Sequence, residues 1–408
     1  MALLRSTVRP RYAPMILFQN LETLPDDPIF GLSLAFQADP RADKVNLGVG
    51  SYKDADGHPC VFSSVRQAEH ILLDKRQNKE YLPILGDKKF CKLLGEVVFG
   101  QQKSQITLSC QTAGGTNALR ISAELLARAG YKKIFLPDPT WANHKLIFSQ
   151  TPLAIDLYPY YSPSAEKINL SAILQAIDAM PEHSAILLHS CCHNPTGFDP
   201  APEEWEEICH AIKQKKVFPL FDSAYQGFGQ GLEEDAAAMR LFCRESIPFF
   251  AAYSCAKNFG LYGERVGALF LLNLDEAEQK ISSNLKQIIR SSISNPPIHG
   301  SQIVAEILDS AELTKEWKHE LSNISLRVKE MRSAFAAALL SAGPPGRFDF
   351  IHYQQGMFSY SGLNSEQVKR LKDEKGIFMP SNGRVNVAGL NWNNLDRVVD
   401  AIVSVVEA

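Results

Sequence analysis

HSAILLHSCC (183–192), KVFPLFD (216–222) and IPFFAAYS (247–254) are three short apolar runs, and two of them close on a polar residue where a loop would begin. Runs of this length, set between helical periodicities, read as strands buried on both faces, the pattern of a parallel sheet. Working outward, YKKIFLPD (131–138) and VGALFLLN (266–273) read the same way. From about residue 60 to 315 such runs alternate with helical patterns, which predicts an α/β fold with a mostly parallel central sheet. A long charged helical pattern covers about 311–341 and stops at GPPG (343–346). After it, FSYSGL, RVNVAGL and NLDRVVDAIVSVVEA mix strands with a helix and predict a smaller α+β body. Residues 14–45, rich in Pro and Asp, read as an arm wrapping a surface.

Composition narrows the function classes. The 408 residues hold 42 Lys and Arg against 45 Asp and Glu, a net charge of -3, with 45% hydrophobic and 21% charged residues. That balance excludes a disordered chain and gives no overall reason to expect nucleic acid or an anionic membrane as partner. Charge should therefore act locally, through particular side chains. The eight cysteines form no CxxC pair, so neither a zinc module nor a disulfide framework is predicted, and a reducing compartment fits. No apolar stretch approaches the roughly 18 residues that cross a bilayer. MALLRSTVRPRYA (1–13) carries three arginines with no acid before Glu22, like the start of a mitochondrial transit peptide. Pro10 and Pro14 break any amphipathic helix early, so it reads as a short extension on a cytoplasmic protein, with mitochondrial targeting as the alternative.

The chemistry gathers at the predicted strand ends, where open parallel sheets collect ligands. KVFPLFD ends in Asp222, with Tyr225 just beyond; HSAILLHSCC runs into His193-Asn194-Pro195-Thr196-Gly197; IPFFAAYS leads to Lys257, with Arg265 further on. A lysine delivered by an apolar strand is a candidate nucleophilic amine with a lowered pKa. Ser254 and Arg265 flank it as phosphate ligands, and Gly114-Gly115-Thr116 opens a helical run whose backbone N–H groups suit an anion. An amine, a phosphate cradle and a strand-end carboxylate together match pyridoxal phosphate, with Asp222 keeping the pyridine nitrogen protonated. Other readings are weaker. His189, Cys191, Cys192 and His193 are adjacent, and successive strand residues face opposite sides, so no metal is expected. Cys255 has no base nearby in sequence and reads as core packing. LGVG (47–50) is not a dinucleotide fingerprint.

YLPILG (81–86), PTWANH (139–144), HNPTG (193–197), FDSAYQGF (221–228), AKNFGLYGERVG (256–267), SNPP (294–297) and GRVNVAG (383–389) resemble the aspartate aminotransferase family of class I pyridoxal-phosphate-dependent aminotransferases. The motifs run in family order from about residue 30 onward, and the nearest resemblance is to a divergent cytosolic branch. The resemblance implies the fold type I of pyridoxal phosphate transferases and a homodimer with shared active sites. It implies an extension and arm over 1–30, a small domain from 31–59 and 314–408 (the latter including a long connecting helix), and a large cofactor domain over 60–313.

Carried over by motif, Lys257 forms the imine with the cofactor and shuttles the proton. Asp222 pairs with the pyridinium, with His144 behind it. Asn194 and Tyr225 bond the phenolic oxygen, and Trp141 stacks on the ring. Gly114, Gly115, Thr116, Ser254 and Arg265 hold the phosphate, joined by Tyr81 and Ser294 of the neighbouring subunit. Arg384 takes the substrate α-carboxylate beside the Gly50 backbone, with Trp141 and Asn194 lining the substrate. Arg290 reaches over from the other subunit to the distal carboxylate, since planar guanidinium groups select carboxylates bidentately. The implied reaction is transamination between L-aspartate or L-glutamate and 2-oxoglutarate or oxaloacetate. Two alternatives stay open: amino-acid racemisation on the same cofactor, and a weak or inactive paralogue acting through a partner.

Several positions depart from the family. Gly114-Gly115-Thr116-Asn117 stands where Ser-Gly-Thr-Gly is usual, and Ala256 where a serine usually precedes the lysine. Ile293 replaces an aromatic residue and Gly263 an asparagine. A hydrogen bond to a charged group contributes roughly 1.5–3 kcal/mol. Two lost hydroxyls therefore predict cofactor affinity lower by about tenfold to several thousandfold, depending on what compensates.

Overall fold

The computed structural model describes residues 18, 21–23 and 30–407. The arginine-bearing segment 1–13, and with it the targeting reading, lies outside the described residues. Within the stretch read as an arm, Phe30–Ala38 is a helix.

The core is a seven-stranded sheet of β1 (Ile106–Thr112), β2 (Lys133–Asp138), β3 (Ala154–Pro159), β4 (Ser184–His189), β5 (Phe218–Ser223), β6 (Phe249–Ser254) and β7 (Gly267–Leu272), in the spatial order β1-β7-β6-β5-β4-β2-β3. The pairs from β6 to β3 are parallel, and β7 alone runs against both its neighbours. The sequence predicts this sheet well because every residue of β4 to β7 is buried, which demands continuous apolar runs. Strand β1, ITLSCQT, escapes the same reading because its first four residues are only half-buried and polar residues interrupt it.

Helices cover both faces. On one, α1 (Gly114–Arg128), α2 (Ala142–Ser149) and α3 (Glu278–Ser292) bury Leu119, Phe148, Leu285 and Ile288 against the sheet. The other face joins a larger core that continues into α4 (Ala311–Ala342), a helix of 32 residues and about 48 Å long. Ser310 caps it, its hydroxyl accepting from the Leu313 N–H at 3.2 Å. Trp317 of α4 stacks on Phe259 at 4.4 Å and donates its indole N–H to the Asn258 carbonyl at 2.7 Å. This clamps the turn immediately after Lys257.

The two ends of the described chain meet in a second, smaller region. Val45–Asn46 pairs in parallel with Ile377–Phe378, and Phe358–Tyr360 pairs antiparallel with Arg384–Asn386. Residues 47–50 and Arg384 thereby come together although more than 300 positions separate them. Among the described residues no helix is long and apolar enough to cross a membrane.

Candidate active site

The carboxyl ends of β4, β5 and β6 lie side by side, with His189 opposite Asp222 and Asp222 opposite Ala252. Beyond them is a cavity of about 160 Å³ lined by Gly115, Thr116, Trp141, His189, Asn194, Asp222, Tyr225, Ser254, Lys257 and Arg265, with Leu119, Ala224 and Ala256. Nine residues predicted from separate motifs thus converge, and His189 joins them.

Asp222 is buried, and its Oδ2 lies 2.9 Å from His144 Nε2, while His144 Nδ1 lies 2.7 Å from the Thr140 hydroxyl. Burial works to raise the Asp222 pKa, but the His144 hydrogen bond and the nearby Lys257 charge help to hold the carboxyl below its ordinary value. Lys257 faces the Tyr225 ring, with Nζ 4.8 Å from the centroid. Burial lowers its pKa to about 8, with Asp222 opposing and the Arg265 and Arg384 charges assisting. Burial likewise pushes the Tyr225 phenol up, and its oxygen accepts from Asn194 Nδ2 at 3.4 Å. The His189 imidazole has both nitrogens buried without partners, and burial lowers its pKa to about 3. It is a neutral wall behind Asp222.

The opposite end of the cavity is built for an anion. The first turn of α1 presents the backbone of Gly114, Gly115 and Thr116, and helix N-termini attract negative charge. Gly114 takes φ 78°, and a Cβ there would fall 2.7 Å from Arg265 Nη2. The guanidinium therefore fills the space that a side chain at 114 would need. A Cβ on Gly115 would sit 3.1 Å from that of Ser254. Asn117 ties the loop down by accepting from the Ala113 N–H at 3.1 Å.

Behind Asn194, Arg384 is buried and its pKa is lowered to about 10 by burial. It donates to Asn194 Oδ1 at 3.2 Å and to the Gly48 carbonyl at 2.6 Å, and it lies 4.1 Å above the Phe358 ring. Its Nε has no partner, and among the described residues no carboxylate pairs with it. Gly50 abuts the same ring: a Cβ there would fall 2.9 Å from Phe358 Cζ. Tyr81, Arg290 and Ser294 stand apart. None lines the cavity; Tyr81 is 87% exposed, and Arg290, exposed at the end of α3, hydrogen-bonds Ser294. Gly48, Thr140 and Phe358 are supporting residues that the sequence reading misses, and His189 is one it names without a role in the site. Thr140 sits inside PTWANH and was within reach, whereas Phe358 carries no local signal.

Comparison with known proteins fixes the family. The aminotransferase class I and II family matches residues 42–402. The chain is 41% identical over 396 residues to the aspartate aminotransferase of Escherichia coli K12, covering 96% of this chain and 100% of that one. The chain belongs to the class I and II aminotransferases. Among solved structures, this aminotransferase is similar to the cytoplasmic aspartate aminotransferase of Saccharomyces cerevisiae (TM-score 0.92, 40% identity, 96% and 99% coverage). It is equally similar to the aromatic-amino-acid aminotransferase of Burkholderia pseudomallei covalently bound to pyridoxal phosphate (TM-score 0.92, 40% identity, 96% and 100% coverage). The aminotransferase is a pyridoxal-phosphate-dependent enzyme with the α/β fold of its relatives, and its cavity fits the cofactor. The Gly114–Thr116 turn and Arg265 can take a phosphate, the Asp222 carboxylate can meet a protonated ring nitrogen, and the unpaired Lys257 amine can meet a carbonyl carbon.

Proposed function

We propose that this aminotransferase moves the amino group between L-aspartate or L-glutamate and 2-oxoglutarate or oxaloacetate. Bound pyridoxal phosphate supplies an electron sink for the charge that develops at the substrate α-carbon. The chain's own groups do the rest. Lys257 Nζ, its pKa lowered to about 8 by burial, moves the proton at the α-carbon. Asp222, kept anionic by His144, holds the ring nitrogen protonated. Asn194 and Tyr225 orient the ring oxygen, Trp141 covers the ring face, and Gly114, Gly115, Thr116, Ser254 and Arg265 hold the phosphate. Arg384, beside Gly50, takes the substrate α-carboxylate.

The observation that carries this reading is the state of Arg384. A buried guanidinium without a carboxylate is costly, and its free Nε suits an acid brought by the substrate. The exposed Tyr81 and Arg290, with the half-buried Ser294, all lying away from the cavity, support a homodimer in which each subunit completes its neighbour's site: Tyr81 and Ser294 at the phosphate, Arg290 at the distal carboxylate. The division into a large domain (60–313) and a small domain (31–59 with 314–408) is supported by the meeting of residues 47–50 with Arg384, while the arm over 1–30 lies almost wholly outside the described residues. A cytoplasmic location fits the cytoplasmic relative and the free thiols of all eight cysteines.

The relatives include both aspartate and aromatic-amino-acid aminotransferases, so Arg290 is the residue to test for substrate choice. Arg290→Ala should erase the preference for aspartate over alanine. An unchanged preference removes Arg290 from the distal-carboxylate role.

A further inference from the structure

Cys191 and Cys192 follow strand β4, and adjacent residues of a strand point to opposite faces. The strand ends at His189, however, and Cys192 takes φ 52°, so the chain turns and both thiols reach the same side. There they meet Asp235 of the short turn Glu234–Ala236. The two Sγ atoms and one Asp235 oxygen lie within 4.8 Å of one another, and all three residues are buried. None of them lines the cofactor cavity. Cys191 and Asp235 instead line a separate cleft of about 710 Å³, which gives the cluster a path to solvent.

The surroundings hold these donors in place and offset charge. The Asp235 carboxylate is oriented by the N–H groups of Gly227, Gly229 and Gln230 at 2.8–2.9 Å, and Oδ1 accepts one further bond of 3.4 Å, from Gly231, which leaves that oxygen the less committed. Gly356 packs directly on Cys192, where a Cβ would fall 2.9 Å from Sγ. The Gly356 carbonyl accepts from the buried guanidinium of Arg332, which also donates to the Phe358 carbonyl at 3.1 Å and the Ser359 hydroxyl at 3.2 Å. Among the described residues no carboxylate pairs with Arg332. A positive charge that no carboxylate among the described residues pairs with thus stands next to the dithiol.

We propose that Cys191, Cys192 and Asp235 form a binding site for a thiophilic divalent cation of the zinc or cadmium type, with a fourth position open to the cleft. Binding forms two metal–sulfur bonds and one metal–oxygen bond, and each thiol releases its proton to solvent. Nothing is oxidised or reduced. The resulting cluster carries one net negative charge, which Arg332 faces.

The test uses the holoenzyme titrated with Cd²⁺, followed by the ultraviolet thiolate-to-cadmium charge-transfer band. The expected result is saturation at one equivalent per chain, with affinity reduced at least tenfold in both Cys191→Ser and Cys192→Ala and unchanged in Cys60→Ser, which alters the least buried cysteine. A measurement free of variants accompanies it: X-ray absorption of the Zn²⁺-loaded wild type should show two sulfur neighbours at about 2.3 Å and lighter neighbours at about 2.0–2.2 Å. No saturable band, a band that survives both substitutions, or a shell with no sulfur or more than two would each overturn the site.

Discussion

Replacing Arg384 by leucine removes the group proposed to bind the substrate α-carboxylate while keeping an apolar side chain on the Phe358 ring, 4.1 Å away in the native arrangement. A forked guanidinium–carboxylate contact comprises two charged hydrogen bonds, each contributing about 1.5–3 kcal/mol. Their loss amounts to about 3–6 kcal/mol, or about two to four powers of ten in kcat/KM. The Asn194 side chain and the Gly48 carbonyl also lose their donor, so Asn194 is freed to rotate away from Tyr225 and kcat should fall together with rising KM. The assay is a coupled measurement of aspartate with 2-oxoglutarate at saturating pyridoxal phosphate, with circular dichroism confirming the fold. Arg384→Lys, which keeps the charge and loses the fork, should recover no more than about a tenth of the deficit. A loss under tenfold in the leucine variant, or full recovery by lysine, would refute the bidentate role.

Three further outcomes follow from the same geometry. Lys257→Ala should abolish turnover, and borohydride should fix the cofactor covalently to the wild type but not to the variant, as read by mass spectrometry. Gly114→Ala places a Cβ 2.7 Å from Arg265 Nη2 at a φ of 78°; left-handed strain of about 1–2 kcal/mol plus displacement of Arg265 should weaken cofactor retention about tenfold or more, measured by equilibrium dialysis. The pH dependence has a definite sign. The folded-state pKa of Lys257, about 8, lies below its ordinary value of 10.5, so the unfolded chain binds the extra proton across that window and the cofactor-free wild type should gain stability as pH rises from about 8 to 10.5. Lys257→Met lacks this gain, and urea unfolding should show the difference between the two shrinking by up to about 3 kcal/mol over that range.

The legible parts of the molecule are those whose physics is local. A strand buried on both faces must be apolar throughout, so β4, β5 and β6 announce themselves, and the polar residues at and just beyond their ends mark Asp222, Asn194 and Lys257. Strand β1 is half-buried and mixed in composition, and it stays hidden although it leads directly into the Gly114 turn. The Arg384 site depends on Gly48 and Phe358, which reach it only through the tertiary fold. Alternation along a strand fails as a guide to Cys191 and Cys192 because the strand has already ended and Cys192 turns the backbone. Phe30–Ala38 is helical because its apolar residues run unbroken by the Pro and Asp that precede and follow it. Tyr81, Arg290 and Ser294 are legible as motif residues, but a single chain brings none of them to the cavity.

The proposed reaction is transamination between aspartate and 2-oxoglutarate. It is tested most directly by incubating the cofactor-saturated protein with ¹⁵N-labelled L-aspartate and 2-oxoglutarate and analysing the products on a chiral column. Labelled L-glutamate should appear one for one with oxaloacetate and only when both substrates are present. Labelled D-aspartate formed without any need for the oxo acid, or no transfer of label from the fully loaded protein, would contradict it.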